Sequence, residues 1–122
     1  MPDTRKVLIV DDEIDLCLLL KEYFSRKKNF EVIVAHSLSE GKALIDTLKP
    51  DILFLDNNLP VGVGWSCAPF FAEHYPATYL VLISAFHPQL PVMPEGAKYR
   101  VIEKPITFAD LDKQFQNPGI VM

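Results

Sequence analysis

Five residues have side chains suited to phosphorus chemistry, and each stands at or just beyond the end of a short apolar run. Asp11 and Asp12 follow Val7–Val10, Asp56 follows Ile52–Leu55, Ser84 follows Tyr79–Ile83, and Lys104 comes soon after Tyr99–Ile102. Taken singly, each has an ordinary explanation. Asp11 or Asp12 can cap a helix, Asp56 can belong to a turn with Asn57 and Asn58, and Ser84 can be another cap. Gathered at one place they would mean more. Two carboxylates about 4 Å apart repel by about 4 kcal/mol at an effective dielectric of 20, and one lysine cannot neutralise three acids. A divalent cation would offset the repulsion, and carboxylate and carbonyl oxygens with retained water suit Mg²⁺. An aspartate so placed can attack phosphorus and form an acyl phosphate. The cation and the ammonium would stabilise the charge on the transferred group, and the serine could donate a hydrogen bond to it. Drawing hydroxyl and ammonium towards the new dianion would supply a mechanical switch.

These residues can meet only if the chain brings the ends of separate elements together. The five runs Val7–Val10, Val32–Ala35, Ile52–Leu55, Tyr79–Ile83 and Tyr99–Ile102 are rich in Val, Ile, Leu and Tyr without polar alternation. That pattern predicts strands buried on both faces. The segments between them (11–31, 36–51, 56–78, 84–98) are each long enough for a parallel crossover. Leu16, Leu19, Leu20, Tyr23 and Phe24 form a helical stripe, followed by Arg26-Lys27-Lys28 at the end that favours cations and by Asn29 as a left-handed cap. Gly41, Leu44, Ile45 and Leu48 form a second stripe, closed by Lys49-Pro50. Trp65, Ala68, Ala72 and Tyr75 form a third, in which Pro69 is tolerable only in the first turn. Thr107 and Asp110 resemble a capping box for a last helix that buries Phe108, Leu111 and Phe115.

The fourth crossover breaks the pattern. Pro88, Pro91 and Pro94 recur at every third position and Gly96 follows, so the stretch from Phe86 to Gly96 is expected to be irregular, with at most one helical turn. Strands alternating with helices otherwise give an α/β fold, an open parallel sheet with helices on both faces. In such sheets ligands bind beyond the carboxyl ends of the strands, where the five residues lie.

The composition agrees with a single domain over residues 1–122. Hydrophobic residues make up 49% and charged residues 23%, as in ordinary globular domains. A net charge of −4 argues against direct nucleic-acid binding. No apolar stretch approaches the ~20 residues of a membrane span, and Cys17 and Cys67 have neither disulfide-scaffold number nor metal-ligand spacing. A reducing, cytoplasmic compartment is the default. His36, His74 and His87 show no ligand spacing and are expected at the solvated surface. Trp65 is expected in the core.

The motifs "VLIVDDE" (Val7–Glu13), "ILFLDNNLP" (Ile52–Pro60), "VLISA" (Val81–Ala85) and "VIEKP" (Val101–Pro105), in that order, resemble the landmarks of the receiver domain of two-component response regulators, as in the chemotaxis regulators. The resemblance spans nearly the whole chain. It implies a three-layer, flavodoxin-like, five-stranded parallel sheet of order 2-1-3-4-5, here with a shortened or irregular fourth helix. By the same resemblance Asp56 is the phosphoacceptor, Asp11 and Asp12 hold Mg²⁺ with Asp56, and the backbone carbonyl of Asn58 completes the protein ligands. Ser84 matches the switch hydroxyl and Lys104 the lysine that contacts the phosphoryl group. Gly64 also fits, and the bond before Pro105 is expected to be cis. The implied donor is a phosphohistidine on a histidine kinase or histidine phosphotransfer protein. An effector domain or a homodimer is the implied output, whether the receiver stands alone or belongs to a longer protein. Such a domain phosphorylates and dephosphorylates itself and is not a turnover enzyme.

Two features depart from the family. Val101 stands where a switch Tyr or Phe is common, so signalling is expected to run through the loop beyond Ser84, with Phe86 or Tyr99 taking part. The proline-rich crossover makes the usual output face atypical. Among alternatives, a haloacid-dehalogenase-type phosphatase needs an acid where the chain has Asn58, and the chain lacks length for a substrate cap. A flavodoxin-like cofactor loop would be repelled by Asp11 and Asp12. For a receiver-shaped interaction module without phosphorylation, the intact acidic set and Lys104 count against it and the altered switch face counts for it.

Overall fold

The computed structural model describes residues 4–27, 29–57, 64–84 and 90–115. Five parallel strands, β1 (Arg5–Val10), β2 (Phe30–Ala35), β3 (Ile52–Asp56), β4 (Tyr79–Ser84) and β5 (Tyr99–Glu103), form one sheet in the order β2-β1-β3-β4-β5. The expected α/β sheet and its order are therefore present. The helices are α1 (Ile14–Ser25), α2 (Leu38–Leu48), α3 (Ala68–His74) and α4 (Phe108–Phe115), with a 3-10 turn at Gly64–Cys67 before α3.

Side-chain alternation divides the strands between two cores. Val7, Ile9, Ile52, Phe54, Val81 and Ile83 pack with Leu20 and Phe24 of α1 and Leu111 of α4. Leu8, Val10, Leu53, Leu55, Leu80 and Leu82 pack on the other face with Ile45 of α2 and with Trp65 and Phe71. Burial on both faces holds for the middle strands only. β2 and β5 are edges, and Glu31, Val101 and Glu103 on them are exposed. The apolar run of β2, Val32–Ala35, resembles those of the middle strands, whereas that of β5 carries Arg100.

Several local expectations are met. Pro69 lies in the first turn of α3, and Asn29 takes the left-handed conformation with φ 70°, but it does not cap α1: the helix ends at Ser25 and its C-cap is Arg26, in the right-handed conformation. The basic residues after α1 lie on aromatic faces: the Arg26 guanidinium lies 4.9 Å from the Phe108 ring centroid and the Lys27 ammonium 5.1 Å from that of Tyr23. Lys28 is outside the described residues. Thr107 and Asp110 form the reciprocal cap, the Thr107 N–H donating to Asp110 Oδ2 at 2.9 Å and the Asp110 N–H to Thr107 Oγ1 at 3.2 Å. Leu111 is buried and Phe108 partly so, while the Phe115 side chain lies outside what the structure describes. The described part of the fourth crossover, residues 90–98, contains no helix. A turn closes it, with Ala97 N–H donating to the Pro94 carbonyl at 3.1 Å and Gly96 at φ 81°, a backbone angle that suits glycine. Residues 85–89, Phe86 among them, lie outside the described residues.

A close approach of helix to sheet fixes the strand that carries the first acids. A Cβ on Gly41 of α2 would stand 2.7 Å from Val10 Cγ2, and Val10 is a stiff, β-branched residue buried beside Asp11. Alanine in a helix is ordinarily worth about 1 kcal/mol over glycine. Gly41→Ala is instead expected to destabilise the fold by about 1–3 kcal/mol through overpacking, read as a lower urea midpoint. Combining it with Val10→Ala should make the alanine at position 41 less damaging than it is alone.

Candidate functional site

The register places the acids. β1 and β3 are neighbours with Val10 opposite Leu55, so Asp11 and Asp56 occupy equivalent levels at the carboxyl end of the sheet. One carboxylate oxygen from each of Asp11, Asp12 and Asp56 lies within 4.8 Å of the others. Asp11 and Asp56 are buried and Asp12 is exposed. Lys104, in the turn after β5, reaches over them: its Nζ is 3.6 Å from Asp11 Oδ2, 3.4 Å from Asp56 Oδ1 and 2.9 Å from Glu13 Oε2. The bond between Lys104 and Pro105 is cis, as expected.

Asp56 and Ser84 are the last residues of β3 and β4, not the first residues beyond them. Asp56 pairs with Ile83, so Ser84, also buried, sits one residue farther along the neighbouring strand. The structure thus gathers Asp11, Asp12, Asp56 and Lys104 and sets Ser84 beside them. Asn58 lies outside the described residues. On β5, Tyr99 is partly buried against the cluster that contains Leu80 and Leu82, while Val101 is 43% exposed.

Two contacts at the site are not legible as such in the sequence. Glu13, part of the first motif, holds the Lys104 ammonium at hydrogen-bond distance. His36 is exposed as expected, yet its Nδ1 lies 3.2 Å from the Asp11 carbonyl oxygen. Its own backbone N–H donates to Glu40 Oε1 at 3.0 Å, while Ser37 caps α2 by accepting from the Glu40 N–H at 3.2 Å. The Ser37-to-Glu40 spacing is the available signal for that cap. His74, also exposed, stacks on Phe70 at 4.0 Å. His87 is outside the described residues. Trp65 is buried, and its indole N–H donates to the Leu55 carbonyl at 3.3 Å.

The electrostatics follow from burial. Loss of water raises the Asp11 carboxyl from 3.8 to about 6; the Glu13 backbone N–H opposes the rise, Asp56 adds to it and Lys104 opposes it. Burial alone would lower the Lys104 ammonium, but the Glu13 hydrogen bond and the charges of Asp11 and Asp56 carry it above its ordinary value. Burial, then the charges of Asp11, Asp12 and Glu13, push the Cys17 thiol up to about 11, so it behaves as a small apolar side chain. The donor set is all oxygen and anionic, and the buried Asp11 Oδ2 receives no hydrogen bond among the described residues. Those are the ligand properties a hard divalent cation requires.

The response regulator receiver domain model matches residues 7–116. The chain belongs to that family. It is 33% identical over 110 residues to the transcriptional regulatory protein BtsR of Escherichia coli, covering 88% of this chain and 45% of that protein. It is 36% identical over 84 residues to a protein-glutamate methylesterase/protein-glutamine glutaminase of Methanosarcina barkeri, covering 68% of this chain and 23% of the relative. The receiver domain thus spans less than half the length of these curated relatives. A CheY-like receiver domain from Methanospirillum hungatei shares the fold with a TM-score of 0.79 at 21% identity, over 93% of this chain and 92% of that one.

The Asp11 shift sets a pH dependence. Between about pH 4 and pH 6 the native state holds a proton that the unfolded chain has released, so stability contributed by Asp11 falls as pH rises through this window. Without divalent ions, Asp11→Asn should therefore stabilise the receiver by about 2–3 kcal/mol above pH 7 and by nothing below pH 4. Urea unfolding in EDTA across that range measures it.

Proposed function

We propose that residues 1–122 are one phosphoacceptor receiver domain, in which Asp56 accepts a phosphoryl group from a phosphohistidine. The observation that carries this reading is the buried pair Asp11 and Asp56 beneath the Lys104 ammonium. Asp11, Asp12 and Asp56, with the Asn58 carbonyl, would hold Mg²⁺, which supplies charge neutralisation to the phosphoryl oxygens. An Asp56 oxygen attacks phosphorus as the bond from phosphorus to the donor nitrogen breaks; the electron pair stays with that nitrogen. Lys104 places its ammonium against the transferred group, and Ser84 donates its hydroxyl proton in a hydrogen bond. Because Lys104 already contacts Glu13 as well as the aspartates, arrival of a dianion redistributes its contacts and moves the turn between β5 and α4.

The domain is read as self-phosphorylating and self-dephosphorylating in the cytoplasm. Its donor is a histidine kinase or histidine phosphotransfer protein, and its output an effector domain or a homodimer. The names of the relatives, a transcriptional regulator and a methylesterase/glutaminase, support a receiver that serves varied effectors. Among the described residues no helix is long and apolar enough to cross a membrane.

Incubation with Mg²⁺ and a small acyl-phosphate donor is expected to add one base-labile phosphoryl group to the wild-type chain and none to Asp56→Asn, by intact mass. An adduct that persists in Asp56→Asn would overturn the assignment. Sustained hydrolysis of phosphate esters would favour the phosphatase.

A further inference from the structure

Resting on that reading, we infer that His36 is a positioning residue for the cation site, acting through the peptide that joins Asp11 to Asp12. His36 follows β2, whose last residue Ala35 is opposite Val10. The Asp11 N–H donates to the Ala35 carbonyl at 3.0 Å, and the Asp11 carbonyl faces the His36 ring at 3.2 Å. A carbonyl only accepts, so Nδ1 carries the proton and donates. Asp11 is thereby held at both its N–H and its carbonyl by adjacent residues of one chain segment. That segment is itself fixed, since the His36 backbone N–H donates to Glu40 Oε1 in the first turn of α2.

The consequence falls on Asp12. Its carboxylate is exposed while that of Asp11 is buried, so the position of Asp12 is set by its backbone more than by packing. The Cys17 thiol also faces the Asp11 carbonyl, at 3.5 Å, but a thiol is a weak donor. The imidazole N–H is the stronger restraint on the peptide plane, and through it on the spacing of the two acids.

The test is isothermal titration of the metal-free chain with magnesium chloride, for wild type, His36→Phe and His36→Asn. The phenyl ring keeps the bulk and loses the donor; the asparagine amide can restore an N–H near the place of Nδ1. His36→Phe is expected to weaken Mg²⁺ binding by about tenfold and His36→Asn by no more than about twofold, as for other groups that orient ligands from behind. In the metal-free proteins, the Asp12 amide resonance should shift in His36→Phe and return towards its wild-type position in His36→Asn. Unchanged affinity in His36→Phe, or equal loss in both variants, would overturn the inference while leaving the cation site intact. Absence of Mg²⁺ uptake by the wild type would reject the cation site itself, and this inference with it.

Discussion

Mutual repulsion among Asp11, Asp12 and Asp56 is the constraint around which the rest of the site is arranged. Three carboxylates, with one oxygen of each within 4.8 Å of the others, are opposed among the described residues by the Lys104 ammonium, which is shared with Glu13 at 2.9 Å. The balance is anionic. Burial of Asp11 adds to the cost of keeping all three acids ionised, because the interior favours its neutral form over the charged one. A site so poised gains from any group that brings positive charge, and gives the Lys104 side chain several competing partners between which to move.

The sheet makes this arrangement possible. Placing β1 and β3 side by side levels Asp11 with Asp56, and pairing β3 with β4 sets Ser84 one residue past the partner of Asp56. The two apolar cores behind these strands are buried at Ile9, Val10, Phe54, Leu55, Leu82 and Ile83. They hold the strand ends against the repulsion of the acids. The close contact of Gly41 with Val10 brings α2 to the same strand, and His36 ties the entrance of that helix to the Asp11 carbonyl.

Much of this is legible in the sequence because it depends on local rules. Apolar runs ending in Asp11, Asp56 and Ser84 predict strands that carry chemistry at their carboxyl ends, and Thr107 with Asp110 predicts a helix start. Hydropathy does not mark β2 as an edge, since Val32–Ala35 is as apolar as the middle runs, whereas Arg100 interrupts the run of β5. Strand ends fall a residue short at Asp56 and Ser84, because polar side chains at a buried strand terminus read as loop. The roles of Glu13 and His36 depend on contacts over 91 and 25 residues, which no local spacing encodes. The prolines correctly predict a crossover without a regular helix over the described residues 90–98.

A divalent cation bound by the acidic cluster would relieve the repulsion among its carboxylates and so stabilise the fold. The most direct measurement is the unfolding free energy of the wild-type chain as a function of Mg²⁺ concentration, beside Asp12→Asn. Wild-type stability is expected to rise with added Mg²⁺, approaching about 1.4 kcal/mol per decade once the site is saturated, while Asp12→Asn responds only at higher concentrations. A flat wild-type curve, or the same curve for both proteins, would contradict it.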